Sequence, residues 1–399
     1  MRAPGEDEVP VDAAPAAGPE EPGGCDAFPL PVAAPTVCQE RFGTAPDGTP
    51  VHRWTLASPS GVEAAVLSFG AVLQSCRVPD RAGRPGNVVL GLPSVPDYAA
   101  DDAYLGAVVG RYANRIAHGR FELDGVRYVL PTNDRGHTLH GGPDGFHRRV
   151  WTGAGFADGR RAGVRLRLRS PHMDMGFPGA LDVEATYTLD ADGTLAVDYR
   201  ATTDRPTVVN LTQHAYWNLD GRSAAGDVLG HRLRVDADAY LPIDGGGIPY
   251  GEPASVRGTP FDFAPTLEST PMSLPTGNGP PTGVALGGRT QSAHPQVTAV
   301  NGIDHCFVLR DGIGLRRAAY LEGPRSGREL EVWTTEPGLQ VYTSNALGAP
   351  FGRHAAVCLE TQNFPDAPNR PTHPSPVLRP GRVHRSTTQY RFTHLPSRT

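Results

Sequence analysis

The segment Gly163-Val164-Arg165-Leu166-Arg167-Leu168-Arg169 alternates apolar and basic side chains residue by residue. Successive side chains of a β-strand point to opposite faces, so this period of two predicts a strand with one buried face and one solvent-facing face. A second segment, Thr194–Arg200, alternates in the same way and follows the pair Asp192-Gly193, which is typical of a hairpin turn. We therefore predict paired antiparallel strands in this part of the chain.

Similar segments continue toward both ends of the chain. They follow one another at intervals of about 8–12 residues with glycine or proline between them, and lie at 121–123, 306–310, 315–321, 329–333 and 339–342. The 48 glycines and 40 prolines favour many short strands over a helical bundle. Tyr98–Leu105, preceded by Pro96, is the best candidate helix. The predicted fold is all-β, a large antiparallel β-sandwich with few short helices.

The predicted organisation is one folded domain with an extension. Residues 1–36 are rich in alanine, proline, glycine and acidic residues and hold few large apolar groups, which predicts a disordered acidic extension. Residues 37–399 carry the strand pattern and form the single β domain. Within this domain, residues 264–296 are dense in proline and glycine, which predicts a long mobile loop.

Charge and composition argue against several functional classes. The formal net charge is −5 and no arginine- or lysine-rich tract occurs, so we expect no nucleic-acid and no membrane partner. No apolar run approaches the ~20 residues of a membrane span, and no secretory signal is visible. Five scattered cysteines without a C-x-x-C pair predict neither a disulfide framework nor a zinc site. The expected location is cytoplasmic.

Two polar segments indicate the chemistry. In the segment 210–219, His214 lies among amide and hydroxyl side chains, and in the segment 359–366, Glu360 directly follows an apolar strand. Partial desolvation raises the pKa of such a carboxyl group, and no basic residue follows before Arg370. An imidazole and a carboxylate that face each other across a cleft can move two protons at once. The polar neighbours suit a polyhydroxylated ligand, so the pattern points to acid/base chemistry on a sugar.

Three other segments carry weaker signals, and each has a structural alternative. Asn114 and Arg115 offer planar donors for vicinal hydroxyls, or else form a surface salt bridge and a turn. His140 precedes two glycines, which either admit a ligand close to the backbone or form an ordinary turn. Asp244 begins a glycine-rich turn and is either a ligand-binding carboxylate or a turn residue.

These motifs together, in their order along the chain, resemble one family. They are Gly-Arg-x-x-Asn-Arg-Ile at 110–116, Leu-His-Gly-Gly-x-x-Gly-Phe at 139–146, Asn-x-Thr-x-His-x-Tyr-x-Asn-Leu at 210–219, Asp304-His305-Cys306-Phe307, and Leu-Glu-Thr-Gln-x-Phe-Pro-Asp-x-x-Asn at 359–369. From about Val51 to its end the chain is similar to the aldose 1-epimerases (galactose mutarotases). Each motif alone is unspecific, whereas five in this order are not.

The resemblance implies the galactose-mutarotase type of β-sandwich and an isomerase that interconverts the α and β anomers of a free aldohexose such as galactose or glucose. It makes ionised Glu360 the catalytic base and His214, as an imidazolium, the catalytic acid. Asp244 is also a candidate for keeping His214 protonated. The sugar-binding roles implied by the family fall on Asn114, Arg115, His140, Tyr216, Asp244 and Gln296, the last by its distance ahead of Asp304. The family implies no metal and no cofactor, a small-molecule sugar as partner, and a monomer or homodimer.

Two other functions are compatible with the residues. Tyr250 stands where the family more often has threonine, and the loop at 264–296 is long, which leaves open the same chemistry on a modified sugar or another hemiacetal in a specialised biosynthetic pathway. A non-catalytic carbohydrate sensor is the second alternative, although the presence of both Glu360 and His214 argues against it. A phosphosugar substrate is disfavoured because no basic cluster accompanies Arg115.

Overall fold

The computed structural model describes residues 32–221, 227–264, 283–310, 312 and 314–394. These residues form antiparallel β-sheets with short helical segments, so the predicted all-β fold is confirmed. Of the predicted extension, only residues 32–36 are among those described. No helix in the described ranges has the length and apolar character that crossing a membrane requires.

The first sheet has five strands that neighbour one another in chain order. They are β1 (Thr36–Thr44), β2 (Pro50–Ala57), β3 (Glu63–Leu67), β4 (Leu73–Pro79) and β5 (Pro85–Asn87). Such a meander needs only short turns between neighbours, which the glycine and proline content of the chain supplies.

A short helix, α1 (Val95–Ala100), follows the first sheet. Ser94 is its N-cap and accepts a hydrogen bond from the backbone N–H of Asp97, while Pro96 lies in the first turn, where proline is favoured. The helix expected over Tyr98–Leu105 therefore begins earlier and ends at Ala100. The capping serine and the proline, rather than the apolar residues that follow, fix its position.

The remaining described strands follow one another along the chain. They are β6 (Val108–Val109), β7 (Arg115–Ile116), β8 (Arg120–Leu123), β9 (Val126–Val129), β10 (Thr138–Leu139), β11 (Thr152–Ala157), β12 (Arg161–Ser170), β13 (Leu181–Asp190), β14 (Leu195–Thr203), β15 (Thr207–Val208), β16 (Thr212–Gln213), β17 (Tyr216–Trp217), β18 (Arg232–Val235), β19 (Ala237–Tyr240), β20 (Ala254–Ser255), β21 (Val284–Ala285), β22 (Asp304–Leu309), β23 (Arg316–Glu322), β24 (Arg328–Thr334), β25 (Gly338–Tyr342), β26 (Val357–Gln362), β27 (Val377–Leu378) and β28 (His384–His394). The other helices are α2 (Leu286–Thr290) and α3 (Pro295–Ala299), with 3₁₀ turns at Ala117–Gly119, Phe146–Arg148, Asp174–Gly176 and Ala367–Asn369.

Two large sheets contain most of the longer strands. The nine-stranded sheet has the order β11-β12-β13-β14-β28-β24-β23-β18-β21, and the six-stranded sheet has the order β17-β26-β25-β22-β19-β20. Short two-stranded pairs, among them β7 with β10 and β6 with β16, connect segments at their margins. One continuous apolar core includes residues from the first sheet and from both large sheets.

The alternating segment 163–169 lies in β12, as predicted. Val164 and Leu166 are buried, whereas its three arginines are exposed. Arg169 pairs with Asp182 on the neighbouring strand β13 at 2.8 Å. The period of two therefore identified both the strand and the face that joins the core.

The segment 264–296 differs in part from the predicted loop. Residues 265–282 lie outside the described residues. The described remainder contains β21, α2 and the start of α3, so short regular elements replace a loop there. The expected mobility stays a prediction.

The described cysteines are not all free thiols. Cys38 is disulfide-bonded, whereas Cys76, Cys306 and Cys358 are free and buried. The scattered cysteines predicted no disulfide framework, so the bond at Cys38 is a difference from expectation. It lies on β1, an edge strand of the first sheet, away from the central strands.

Candidate active site

Glu360 lies near the middle of β26, an interior strand of the six-stranded sheet. Leu359 on the opposite face of that strand packs into the core, and the carboxyl side chain is itself buried. Its Oε2 atom has no hydrogen-bond partner among the described residues. Leaving a buried polar atom unpaired costs free energy, so this oxygen is suited to receive a ligand or a proton.

His214 lies where the chain crosses between two sheets. Gln213 before it pairs with Val108 of β6, and Tyr216 after it pairs with Cys358 of β26. The His214 backbone N–H donates to the carbonyl of residue 107 over 2.9 Å, and its carbonyl accepts from the N–H of residue 106 over 3.0 Å. Both backbone groups of His214 are thus fixed. The segment that connects the two sheets places the imidazole next to β26, the strand that contains Glu360.

The two side chains face each other in one buried site. His214 Nε2 lies 3.6 Å from Glu360 Oε2, and both side chains are at most 5% exposed. This separation exceeds a hydrogen bond and is short enough for a strong electrostatic interaction. The spatial relationship that the sequence prediction requires is therefore present.

A cavity of about 790 Å³ contains the pair. This volume is typical of small-molecule sites. The polar side chains of its lining that concern the chemistry are Tyr104, Asn114, Arg115, Asp134, His140, His214, Tyr216, Asp304, Tyr342 and Glu360. Four residues predicted to bind sugar, at 114, 115, 140 and 216, therefore lie with the acid/base pair.

Burial determines where the proton of the pair resides. It raises the pKa of Glu360 well above its usual range; the negative charge of Asp304 adds to this shift and the positive charge of Arg115 opposes it. Burial lowers the pKa of His214 to about 4. Both shifts favour the neutral forms, which are a protonated carboxyl group at Glu360 and an uncharged imidazole at His214. The sequence-based expectation of an ionised Glu360 and an imidazolium at 214 differs from this, because it took no account of desolvation at the histidine.

Asn114 and His140 are joined at the end of the ribbon formed by β7 and β10. The Asn114 N–H donates to His140 Nδ1 over 3.1 Å, and the His140 N–H donates to the Asn114 carbonyl over 3.1 Å. Both residues adopt left-handed backbone angles, with φ of 63° and 53°. Asn114 Oδ1 accepts from the Arg115 N–H over 2.9 Å, which leaves the amide NH₂ for a ligand.

Arg115 is anchored by one of its nitrogens. Its Nε donates to Asp134 Oδ2 over 2.8 Å, and the side chain is 8% exposed. The Nη groups are the planar donors that remain for a ligand. Gly247 packs so closely that an added Cβ atom would lie 3.0 Å from the guanidinium carbon, so the turn at 244–248 supports the arginine from one side.

Tyr216 reaches the cavity through its ring. Its hydroxyl donates to the carbonyl of Ala103 over 2.8 Å, and its ring centroid lies 5.1 Å from that of His214. The hydroxyl already has a partner, so the structure fits a role in holding His214 better than a direct hydrogen bond to sugar.

Asp244 and Gln296 do not line the cavity. Asp244 is exposed, and its Oδ1 accepts from the N–H groups of Gly246 and Ile248, at 2.8 and 3.0 Å, as a turn residue does. The side-chain amide of Gln296 is hydrogen-bonded to the backbone of Ile243. Its Oε1 accepts from the Ile243 N–H over 2.8 Å, and its Nε2 donates to the Ile243 carbonyl over 2.9 Å. The implied direct contacts of these two residues with sugar are therefore replaced by support of the turn beside Arg115. The pKa of His214 is set by burial and by a backbone hydrogen bond, and not by Asp244.

Two lining residues were missed by sequence reasoning. Tyr104 packs against three imidazoles, with centroid distances of 4.6 Å to His140, 4.5 Å to His147 and 6.0 Å to His214. The backbone of Tyr104 adopts a left-handed conformation, with a φ of 57°, and no sequence pattern indicates this. Asp304 was noted within a motif but received no role, although an acidic residue at the start of a largely apolar strand was a usable signal.

The site also contains a set of possible metal ligands. One donor atom from each of His140, His214 and Glu360 lies within 4.8 Å of the others. However, His140 Nδ1 accepts a hydrogen bond from the Asn114 N–H, so the proton of the neutral ring is on Nε2. A nitrogen that carries a proton cannot bind a metal. The donor set thus lacks one of its three ligands and does not fit a metal.

Comparison with known proteins gives one consistent family. The aldose 1-epimerase family model matches residues 52–391. The galactose mutarotase of Rattus norvegicus is 39% identical over 367 residues, which cover 90% of this chain and 99% of that protein. The aldose 1-epimerase of Escherichia coli (strain K12) is 37% identical over 358 residues, covering 87% and 97%.

Solved structures show the same similarity. The galactose 1-epimerase from Lactobacillus acidophilus NCFM superposes with a TM-score of 0.76 at 27% identity, covering 90% of this chain and 99% of that one. The GalM/aldose epimerase homologue from C. elegans gives a TM-score of 0.75 at 30% identity, covering 85% and 98%. The β-sandwich predicted from the alternating strands agrees with these neighbours.

Proposed function

The chain belongs to the aldose 1-epimerase family, and on that basis we propose that it interconverts the α and β anomers of a free aldohexose of the galactose or glucose type. The observation that carries the proposal is the buried pair of Glu360 and His214, 3.6 Å apart in a cavity of small-molecule size. Anomer exchange needs one group that removes a proton and one that supplies a proton, and this pair has both capacities.

The reaction conserves protons at every step. One proton leaves the O1 hydroxyl and one reaches O5 as the C1–O5 bond breaks, which gives the open-chain aldehyde. Rotation about the C1–C2 bond presents the other face of the aldehyde to the O5 hydroxyl. Reversal of both transfers closes the ring on that face and returns the pair to its initial protonation.

The pair can perform these transfers with its single proton. Sugar hydroxyls that donate to the Glu360 carboxylate favour its charged form, so the proton moves to His214. Glu360 then removes the O1 proton and His214 supplies one to O5. Arg115 also favours the carboxylate, since its positive charge opposes the rise in the pKa of Glu360. The ion pair predicted from the family is thus the form that acts on bound sugar.

We assign the roles of the surrounding residues from the hydrogen-bond donors that are not already bonded within the protein. Asn114, Arg115 and His140 supply an amide, a guanidinium and an Nε2–H group to the sugar hydroxyls. Tyr216 holds His214 in place through ring packing. Asp244 and Gln296 act indirectly, by shaping the turn that supports Arg115.

The turn at 245–251 does not support the alternative that the substrate is a modified sugar. Tyr250, which motivated it together with the long loop at 264–296, is 51% exposed and does not line the cavity. A purely sugar-binding protein would have no use for a buried pair that carries one transferable proton. Both alternatives remain as outcomes of the experiment below.

Polarimetry tests the proposal. Freshly dissolved α-D-galactose and α-D-glucose are followed by optical rotation with the wild-type protein and with Glu360→Gln. We expect the wild type to accelerate the approach to equilibrium and the variant to lose roughly 10²–10⁴-fold in kcat. Sugar binding without acceleration indicates a sensor. If the protein neither binds these hexoses nor accelerates their mutarotation, their assignment as substrates is overturned.

We also propose a cytoplasmic location and a monomeric or homodimeric state. Light scattering of the purified protein tests the second, and a larger assembly would contradict it.

A further inference from the structure

Cys358 and Glu360 lie two residues apart on β26 and approach the two nitrogens of the His214 imidazole. Side chains at this spacing share one face of a strand and start roughly 7 Å apart along it. His214 Nε2 lies 3.6 Å from Glu360 Oε2, and His214 Nδ1 lies 3.7 Å from Cys358 Sγ. One strand therefore presents a carboxyl group to Nε2 and a thiol to Nδ1.

The Cys358 thiol is a neutral group inside the protein. Its side chain is fully buried, and it is not among the residues that line the cavity. Burial raises the pKa of the thiol well above its usual range, and the neighbouring Glu360 and Asp304 raise it further. The sulfur therefore keeps its proton. A neutral thiol is a weak donor and a weak acceptor, so its contact with Nδ1 can have either direction.

A chain of hydrogen bonds fixes this direction. The Tyr216 hydroxyl donates to the carbonyl of Ala103 over 2.8 Å. A carbonyl oxygen has no proton to give, so the hydroxyl proton is committed and only its oxygen lone pairs remain. The Tyr216 side chain is also hydrogen-bonded to Cys358, so it accepts the thiol proton. The sulfur then presents a lone pair to His214, and Nδ1 is the donor.

The position of this proton decides what the other ring nitrogen can do. A neutral imidazole holds one proton, so a protonated Nδ1 leaves a free lone pair on Nε2. Nε2 can then receive the Glu360 proton when sugar hydroxyls stabilise the carboxylate. The ring now carries a proton on each nitrogen, and Nε2 gives one to O5 while Nδ1 keeps its own. With its proton on Nε2 instead, the neutral ring could accept nothing from Glu360.

We propose that Cys358 is a positioning residue for the proton transfer, which acts through His214 by holding the neutral imidazole in the tautomer protonated at Nδ1. Tyr216 serves this role by accepting the thiol proton. His140 has the opposite tautomer, because its Nδ1 accepts from a backbone N–H. The inference rests on the proposed anomer exchange, because it concerns the ring that supplies the proton to O5.

Nitrogen NMR of the wild-type protein tests the tautomer directly. Protein labelled with ¹⁵N in its histidine rings is measured at pH 7, where burial keeps His214 neutral. The His214 signals are assigned from their absence in His214→Gln. We expect Nδ1 to give the signal of a protonated ring nitrogen and Nε2 that of an unprotonated one. The reverse pattern overturns the inference.

The variant Cys358→Ala tests the role of the sulfur, because it removes the acceptor for the Nδ1 proton. Both tautomers should then be populated, so we expect the signal of a protonated Nε2 to appear. Activity should fall roughly tenfold in kcat, with KM little changed, because fewer rings hold the active tautomer. Cys358→Ser keeps a group that accepts from Nδ1 and donates to Tyr216, so it should restore the tautomer and most of kcat. An unchanged tautomer in Cys358→Ala overturns the inference.

The matched control is Cys76→Ala. Cys76 is an equally buried free thiol, on β4 of the first sheet and outside the cavity. Its variant removes the same atom from the core and should leave the His214 tautomer and kcat unchanged. Equal changes in the two variants would reflect the loss of any buried thiol and would overturn the inference.

A second variant serves if Cys358→Ala does not fold. Tyr216→Phe keeps the ring that packs against His214 and removes the oxygen that accepts the thiol proton. The thiol is then free to turn its proton toward Nδ1, so the fraction of rings protonated at Nε2 should rise. If this fraction stays at the wild-type value, the inference fails.

The NMR readout needs no turnover, so it separates this inference from the proposed function. A wild type that is inert on hexoses, but whose Nδ1 proton depends on Cys358, would refute the proposed function and keep the tautomer assignment. An active wild type whose tautomer and kcat survive in Cys358→Ala would keep the function and refute the inference.

Discussion

The backbone N–H of Asn114 donates to Nδ1 of His140 over 3.1 Å, and this bond fixes the tautomer of the second imidazole in the site. A ring nitrogen that accepts a hydrogen bond carries no proton, so the proton of His140 is on Nε2. Burial lowers the pKa of His140 well below its usual range, and the neighbouring His214 and Arg115 lower it further. His140 is therefore a fixed donor, and we propose that His214 is the ring that exchanges a proton.

Replacing each histidine by glutamine should separate these two roles. Glutamine places an N–H donor near the position of Nε2 but cannot exchange a proton, so His140→Gln should keep kcat within about tenfold of the wild type. His214→Gln should lose roughly 10²–10⁴-fold in kcat. Polarimetry on both purified variants gives the comparison. A similar loss in both would mean that His140 also transfers protons.

Removal of metal ions should leave the activity unchanged. The tautomer of His140 withdraws its Nε2 from the donor set formed with His214 and Glu360, and two remaining ligands bind a metal weakly. Dialysis against EDTA should not change kcat, and calorimetric titration with Zn²⁺ should show no tight site. Activity that disappears on chelation and returns with a divalent ion would contradict this tautomer.

The turn at 244–248 offers a paired test of how Arg115 is supported. Gly247 has a φ of 81°, and an added Cβ atom would lie 3.0 Å from the Arg115 guanidinium carbon, so Gly247→Ala should displace the arginine and raise KM roughly tenfold. An added Cβ atom at Gly245 would have nothing within 4 Å, so Gly245→Ala is the control and should leave KM unchanged. Equal KM values for the two variants would show that Arg115 does not depend on this contact.

Stability should fall as the pH is lowered, because several histidines are buried. Burial lowers the pKa of His147 and His305 to about 3, and of His214 and His231 to about 4. An unfolded histidine titrates near ~6.5, so between that pH and about 4 the unfolded chain binds more protons than the folded chain. The free energy of unfolding should then drop by roughly 1 kcal/mol per buried histidine for each pH unit.

Urea denaturation at pH 7 and pH 5 measures this effect. The midpoint should be clearly lower at pH 5, and His231→Gln should reduce the difference without touching the site. His231 is suitable because its Nε2 accepts from the backbone N–H of Leu219, outside the cavity, over 3.0 Å. A midpoint that does not depend on pH would mean that these rings already bind protons in the folded state.

Features that depend only on neighbouring residues along the chain could be predicted from the sequence. The alternation at 163–169 depends only on the two-residue period of a strand, and Glu360 after an apolar run depends only on neighbours along the chain. The order of strands within the sheets depends on contacts between distant segments and left no such pattern. The raised pKa of Glu360 depends on burial by the whole fold, so an expectation based on ordinary pKa values did not include it.

The site shows the same division between local and distant causes. His214 was recognised from its polar neighbours in sequence, and its distance to Glu360 agrees with that reading. Asp244 and Gln296 were assigned through the family, but their side chains are occupied by backbone groups of the turn. Tyr104 was missed because its contacts with three imidazoles come from segments far apart in the chain.

The place of β28 in the nine-stranded sheet governs how the protein can be assembled. This strand, residues 384–394, lies between β14 and β24 and is the link that joins the two halves of the sheet. During synthesis both halves emerge from the ribosome earlier and expose unpaired edges where this strand belongs. A chain interrupted before residue 384 would keep those edges open and would be prone to aggregate. Completion of the largest sheet thus waits for the end of translation of this domain.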